Sequence, residues 1–181
     1  MSAVELVEKY TFEDYQTWED RWELIDGIAY SMLPTPYPIH QRTVIRSCNE
    51  LDKNLKCRFS NMCEVFISPI DWKVDDTTVV QPDVAIFCEK TAKQYFQKTP
   101  IMIVEVLSLS TAQKDTTVKF DLYQKQKVPC YIMINPTNNK AEVYTLQDDK
   151  YQLHSKYQDK GIYEFKDGHC ETKIDFGEVF S

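Results

Sequence analysis

Two apolar, strand-like segments of this 181-residue chain each carry one acid where a buried strand would be uniformly apolar. Segment 79–87 holds Asp83, and segment 101–107 holds Glu105. A lone carboxylate is costly to bury unless a cation or hydrogen bonds meet it. Two such acids, on strands close enough in sequence to pair, predict a shared divalent metal ion, because Mg²⁺ prefers carboxylate and carbonyl oxygens.

A predicted helix follows the second segment at once. Ser110 and Gln113 fit a capping box, so the helix is expected to run from about residue 111 to residue 125 or 127. One face of it carries three side chains spaced four residues apart, which are Asp115, Lys119 and Tyr123. Lys119 could therefore bring an ammonium group to the two acids, to orient a water molecule or to stabilise the transition state of phosphodiester hydrolysis.

Each of these residues also has a structural interpretation. Asp83, directly after a proline, fits a turn or strand-end acid. Asp115 with Lys119 fits an ordinary helix ion pair, and Tyr123 fits core packing. A further alternative is a structural cluster in which Asp83 and Glu105 each meet a lysine or an arginine.

Two residues earlier in the chain are additional candidates. Glu23 is interpreted equally well as a second acid near the metal or as an exposed strand acid. His40, at a predicted loop-to-helix junction, fits a helix cap or a surface position better than a catalytic role.

The composition fits one globular domain over residues 1–181. Hydrophobic residues make up 43% and aromatic residues 13%, which is enough for a sizeable core. The net charge of -7 argues against a general nucleic-acid coat protein, which needs clustered Lys and Arg. The amino terminus is charged and no segment is long and apolar enough to span a bilayer, so we expect a cytoplasmic protein without a membrane partner.

Two local groups of basic residues contrast with that acidic balance. They are Lys114, Lys119, Lys125 and Lys127 in one predicted helix and its exit, and Arg42, Arg46, Lys53, Lys56 and Arg58 around another. The charge pattern favours solvated helix faces over a nucleic-acid contact.

The cysteines and histidines lack metal-ligand spacing. The six cysteines, at positions 48, 57, 63, 88, 130 and 170, contain no CxxC pair, and the histidines at 40, 154 and 169 are equally dispersed. Cys88 and Cys130 lie in strand-like segments, where a thiol behaves as a small hydrophobe. We therefore interpret the cysteines as structural residues rather than as disulfide partners or zinc ligands.

The order of predicted elements indicates a mixed α/β fold. A capped helix begins after Thr11, Asp26-Gly27 turns a hairpin between 22–25 and 28–32, and an amphipathic helix spans about 39–55. Strands are predicted over 63–74, 77–80, 84–88, 100–107 and 130–135, followed by a C-terminal antiparallel meander over 140–146, 151–157 and 162–165. The strand, helix, strand order from 101 to 134 implies a right-handed crossover and a parallel pair, so we expect one mixed central sheet flanked by helices.

A set of dispersed motifs extends from about residue 11 to residue 136. They are Glu23-Leu24-Ile25-Asp26-Gly27, His40, Ser68-Pro69-Ile70-Asp71, Gln81-Pro82-Asp83, Val104-Glu105-Val106-Leu107-Ser108 with Ser110-Thr111, Asp115, Lys119, Tyr123, Val128-Pro129 and Tyr131-Ile132-Met133-Ile134-Asn135-Pro136. Together they resemble the Uma-two family of restriction endonucleases, a branch of the PD-(D/E)XK nuclease superfamily.

The resemblance implies a restriction-endonuclease-like fold and a metal-dependent endonuclease that hydrolyses DNA. Asp83, Glu105 and the main-chain oxygen of Val106 would bind Mg²⁺ or Mn²⁺, and a homodimer would pair two sites for double-strand cleavage. The lysine expected two residues after the acid is Leu107 here, and Lys119 would reach the same place from the following helix. Because of this departure, a catalytically inactive nuclease-like binding or regulatory module remains the alternative. Replacing Glu105 or Lys119 by Ala is expected to abolish cleavage with little loss of stability.

Overall fold

The computed structural model describes residues 8–32, 37–57, 63–108, 112–168 and 170–181. The helices in these ranges are α1 (Phe12–Tyr15), α2 (Pro38–Asn54), α3 (Ala112–Thr116), α4 (Val118–Lys125) and α5 (Phe176–Phe180). The strands are β1 (Trp22–Ile25), β2 (Ile28–Ser31), β3 (Lys56–Cys57), β4 (Glu64–Ile67), β5 (Asp71–Asp75), β6 (Thr78–Val80), β7 (Val84–Phe87), β8 (Tyr95–Phe96), β9 (Met102–Val106), β10 (Cys130–Asn135), β11 (Lys140–Gln147), β12 (Lys150–Gln158), β13 (Ile162–Asp167) and β14 (Cys170–Asp175).

Within the described residues, the strands form three sheets rather than one. The central sheet has the order β12-β11-β10-β9-β7-β4, a second has the order β2-β1-β6-β5-β8, and a third has the order β13-β14-β3. In the central sheet β9 and β10 are parallel, as the strand, helix, strand order predicts, and the other neighbours are antiparallel. The predicted fold class, a mixed central sheet flanked by helices, is confirmed.

The two faces of the central sheet pack against different elements. Val104 on β9 belongs to one buried cluster, which includes Leu51 of α2. Ile103 belongs to a second cluster, which includes Tyr123 of α4 and Trp72 of β5. Because side chains alternate along a strand, Glu105 shares the face of Ile103 and is directed towards the second cluster.

The β1–β2 hairpin turns at Asp26-Gly27, as predicted. Asp26 has φ 50° and Gly27 has φ 79°, the left-handed conformations that a two-residue hairpin turn requires. Gly27 is also tightly enclosed, because a Cβ atom built there would lie 2.9 Å from Lys9 Cδ and 3.3 Å from the Tyr10 carbonyl oxygen. The turn fixes β1, the strand that carries Glu23.

Gly27→Ala is expected to destabilise the protein by about 1–2 kcal/mol, because a Cβ atom is strained in the left-handed region and here also meets the backbone of Tyr10. Gly168→Ala is the matched control, since Gly168 has φ 54° but nothing within 4 Å of its added Cβ. Urea unfolding of the two variants measures the difference. A loss at Gly27 no larger than the loss at Gly168 would show that the close approach contributes nothing.

Three predicted elements differ from the structure. The expected strand 63–74 is interrupted at residues 68–70, and its halves β4 and β5 lie in different sheets. The expected meander ends after β11 and β12, because β13 pairs with β14 in the third sheet. The expected helix 111–127 is two helices, since Thr117 has non-helical angles of φ -125° and ψ -77°. The proposed cap residue Ser110 lies outside the described residues.

The structural interpretation of the cysteines is wrong for four of them. Cys57 is bonded to Cys170 and Cys63 to Cys88, and Cys63 Sγ lies 3.3 Å from Cys170 Sγ. The bonded cysteines are 113 and 25 positions apart in sequence, so their spacing did not predict the pairs. Cys130 does behave as predicted and is a buried free thiol.

No helix in the described ranges has the length and apolar character needed to cross a membrane.

Candidate active site

Asp83 and Glu105 lie at neighbouring strand ends. Asp83 immediately precedes β7, and the pairing of Val84 with Val104 carries the register on to Asp83 and Glu105. The amide N–H of Val106 donates a hydrogen bond to Asp83 Oδ2 at 2.8 Å. Directly opposed residues of an antiparallel pair project to the same side of the sheet, so the two carboxylates share one face.

Lys119 joins three acidic residues at the centre of the site. Its Nζ lies 2.8 Å from Glu105 Oε1, 2.8 Å from Glu23 Oε1 and 3.8 Å from Asp115 Oδ1. Tyr123 Oη donates to the same Glu105 oxygen at 2.7 Å. Lys119 is only 2% exposed, so this ammonium group is almost entirely surrounded by protein.

Glu23 is a fully buried member of this cluster. Its Oε2 is 2.5 Å from Lys114 Nζ, and its Oε1 accepts a hydrogen bond from the Gln81 amide at 2.8 Å. The alternative of an exposed strand acid is therefore wrong. The side-chain oxygen of Gln81 also accepts hydrogen bonds from Arg21. These bonds link the segment before β1 to the segment that carries Asp83.

Lys114 was missed as a site residue because the charge pattern favours a solvated face. On one continuous helix, Lys114 and Lys119 would point about 140° apart, since residues five positions apart do not share a face. The break at Thr117 allows both lysines to reach Glu23. The break falls within three consecutive β-branched residues, Thr116-Thr117-Val118, which weaken helix formation.

His40 is buried rather than placed at the surface. It lies in the first turn of α2, is 8% exposed, and its Nε2 is 3.3 Å from Asp83 Oδ2. Burial would lower the pKa of His40, but the hydrogen bond and the charge of Asp83 outweigh burial and raise it. The preferred interpretation of His40 as a cap or surface residue is wrong.

Tyr123 combines both interpretations given to it. Its ring packs against Trp72 and Tyr131 with centroid distances of 6.0 and 5.2 Å, while its hydroxyl reaches Glu105. Burial, followed by the charges of Glu105 and Glu23, raises the pKa of Tyr123 well above its usual value. Tyr123 is therefore a neutral donor to Glu105.

The site contains two more carboxylates than lysines. The acids are Glu23, Asp83, Glu105 and Asp115, and the lysines are Lys114 and Lys119. Burial raises the pKa of Glu105 well above its usual value, and the neighbouring acids add to this effect against the opposing charge of Lys119. Burial also raises the pKa of Glu23, but the two lysines outweigh it and lower that pKa overall. The negative charge of Glu105 is thus less well compensated than that of Glu23.

Both the donor atoms and this charge imbalance fit a divalent cation. Asp83 and Glu105 offer carboxylate oxygens, and Val106, whose N–H binds Asp83, offers a main-chain carbonyl oxygen. Hard oxygen ligands with incomplete charge compensation are what Mg²⁺ and Mn²⁺ select. We therefore regard these three residues as the candidate metal ligands.

A cavity of about 350 Å³ connects this corner of the protein with solvent. It is lined by Tyr37, Pro38, Ile39, His40, Leu107, Ser108, Pro136 and Thr137. His40, which contacts Asp83, forms part of its wall. The cavity is therefore linked to Asp83 through the His40 side chain, and neither Asp83 nor Glu105 lines it.

Comparison with known proteins identifies the family and the fold of this chain. The sequence profile of the Uma2 family, described as "Putative restriction endonuclease", matches residues 12–166. The chain belongs to this family. The match includes every candidate site residue from Glu23 to Tyr123, whereas β14 and α5 lie beyond it.

Two individual relatives extend the comparison. The protein slr1290 of Synechocystis sp., which is named as uncharacterized, is 29% identical over 169 residues, covering 87% of this chain and 85% of the relative. A crystal structure from Anabaena variabilis, described as a "putative nuclease belonging to DUF820", superposes with a TM-score of 0.71 at 14% identity. That alignment covers 94% of this chain and 97% of the other, so the two proteins share the fold over nearly their whole lengths.

Proposed function

We propose that this Uma2-family protein is a metal-dependent endonuclease that hydrolyses phosphodiester bonds in DNA. Asp83, Glu105 and the carbonyl oxygen of Val106 would hold Mg²⁺ or Mn²⁺. The observation that carries the proposal is the placement of Asp83 and Glu105 on one face of the central sheet, within a buried cluster that holds two more carboxylates than lysines. Family membership supports the same chemistry.

The chain's own residues have separate tasks in this proposal. When bound, the metal ion would make a water more acidic and offset negative charge on the phosphate. Lys119 holds Glu105 through Oε1 and presents an ammonium group beside it, while Tyr123 donates to the same oxygen. Glu23 positions Lys119 from the opposite side. A preorganised donor of this kind is worth about 3 kcal/mol, or roughly a hundredfold in rate.

A nuclease-like module without catalytic activity is the second candidate. One specific observation favours it: Lys119 is engaged by Glu23 and Glu105 and is almost fully buried, while Leu107 stands where the superfamily pattern has a lysine. Under this alternative the cluster stabilises the fold, and the cavity accepts a ligand that is not cleaved.

A cleavage assay tests the proposed activity. Purified protein with Mg²⁺ or Mn²⁺ is expected to cut plasmid, linear or single-stranded DNA, with RNA as a parallel substrate and Lys125→Met as an active control, because Lys125 is exposed and outside the cluster. If all four substrates stay intact while a reference nuclease cuts them, the catalytic proposal fails and the inactive module is favoured.

Asp83→Asn is expected to weaken Mg²⁺ or Mn²⁺ binding by at least about tenfold, because it removes one anionic ligand from an oxygen site. Isothermal titration calorimetry of the folded variant measures this change. Asp121→Asn is the matched control, since Asp121 is an exposed acid on α4. Unchanged metal binding by the Asp83 variant would remove this residue from the ligand set.

A homodimer is part of the same proposal. Strand β12 forms one edge of the central sheet, and edge strands favour pairing with another copy. Light scattering coupled to gel filtration is expected to give twice the mass of the 21.3 kDa chain. A monomeric mass at working concentrations would contradict this arrangement.

A further inference from the structure

Four cysteines from separate parts of the chain meet between two sheets, away from the acidic cluster. Cys57 on β3 is paired across the strands with Cys170 on β14. Cys63 directly precedes β4 and Cys88 directly follows β7, so the register of Glu64 with Phe87 sets these two opposite each other as well. The third sheet is thereby joined to the edge of the central sheet.

The two pairs touch through one sulfur atom of each. Cys63 Sγ lies 3.3 Å from Cys170 Sγ, and the Sγ atoms of Cys57, Cys63 and Cys170 all lie within 4.8 Å of one another. Cys88 lies outside this group of three but is bonded to Cys63, so reduction would leave a fourth thiol next to it. Two independent disulfides need not touch, whereas four thiolates around one zinc ion lie about 3.8 Å apart, as follows from Zn–S bonds of about 2.3 Å in a tetrahedron.

We propose that, in the reduced protein, Cys57, Cys63, Cys88 and Cys170 bind one zinc ion as a tetrathiolate site. Each thiol transfers its proton to solvent on binding, so the ion displaces four protons and no electron transfer is involved. Four protein ligands leave no open position, which makes the site structural rather than catalytic. It would fasten β3 and β14 to β4 and β7.

The position of Cys170 gives this site a particular role. Cys170 lies beyond residues 12–166, the range that matches the family, and it begins the last strand before α5. Zinc would therefore attach the C-terminal strand to the family fold. The cytoplasm expected from the sequence is a reducing compartment, in which cysteines bind metal more often than they form disulfides.

Zinc content and thiol counting test the site without any activity measurement. Protein expressed with added zinc and purified anaerobically with a phosphine reductant is expected to contain one zinc per chain. Two thiols, Cys48 and Cys130, should stay outside the site, and removal of zinc should bring the titratable count in denaturant to all six cysteines. Cobalt(II) should replace zinc and show the visible absorption of a tetrahedral thiolate complex.

Single cysteine substitutions distinguish one zinc site shared by four cysteines from two independent disulfides. Cys88→Ser and Cys170→Ser belong to different pairs, yet each is expected to lower zinc affinity by more than about a hundredfold, because even residues that only support metal ligands cost 10–100-fold. Cys48→Ser is the control and should keep one zinc, since Cys48 is a free cysteine. If either variant fails to fold, the cobalt titration of the wild-type protein decides the matter.

Two results would overturn the proposal. One is protein that stays free of zinc and cobalt under reducing conditions with all four thiols titratable. The other is peptide mapping that finds Cys57–Cys170 and Cys63–Cys88 bridges in protein kept reduced throughout preparation. The first result would leave four free thiols in the reduced protein, and the second would leave two disulfides.

Discussion

Lys119→Met is expected to lower stability by about 3–5 kcal/mol, as does removal of one partner from a buried ion pair. Met has about the length of the lysine stem, so the substitution mainly removes the positive charge. That charge is close to the carboxylates of Glu23, Glu105 and Asp115. For a chain of this size, that corresponds to a fall in Tm of roughly 6–20 °C. Cleavage should be lost at the same time.

The burial of Lys119 changes the expectation drawn from its sequence. A helix-surface lysine would be replaced at little cost, but this side chain is 2% exposed and its Nζ has three acidic neighbours. Burial lowers the pKa of Lys119, yet the charges of Glu105, Glu23 and Asp115 raise it well above its usual value overall. The lysine is therefore charged in the folded protein.

Calorimetric melting of Lys119→Met beside Lys125→Met tests this interpretation. Lys125 is an exposed lysine on the same helix, α4, and its replacement should change stability by less than about 0.5 kcal/mol. A wild-type Tm for Lys119→Met would show that the ion-pair cluster contributes no net stability.

Glu105→Gln is expected to have opposite effects on activity and on stability. Cleavage should fall by at least about a hundredfold, because an anionic metal ligand is lost from the reacting centre. Metal-free stability should stay the same or rise, since the substitution removes one of four crowded carboxylates. The Gln amide oxygen preserves an acceptor for Lys119 and Tyr123.

Glu23→Gln is the matched control for that prediction. Glu23 is equally buried, but two lysines lower its pKa, so the same isosteric change should destabilise the protein by about 1–3 kcal/mol. Thermal melting in a chelator compares the two variants. If Glu105→Gln and Glu23→Gln lose the same stability, the negative charges of Glu105 and Glu23 are equally well compensated and the prediction is wrong.

Local sequence patterns predicted correctly those elements that depend on residues close together in the chain. The Asp26-Gly27 turn requires only two residues that tolerate positive φ, and α2 only an apolar stripe at helical spacing. The parallel pairing of β9 with β10 follows from the order strand, helix, strand. Asp83 and Glu105 were recognisable because an acid inside an apolar strand is itself unusual.

The tertiary structure decided how the remaining residues come together. Lys114 has the same local pattern whether it faces water or Glu23, and the two residues are 91 positions apart in sequence. Cys57 and Cys170 are separated by 113 positions, so spacing rules for metal ligands do not detect them. Sequence alone thus determined most of the secondary elements, the two central acids and the approach of Lys119 to Glu105. The second lysine, Lys114, the burial of Glu23 and His40, and the cysteine cluster depend on contacts that exist only once distant strands have packed.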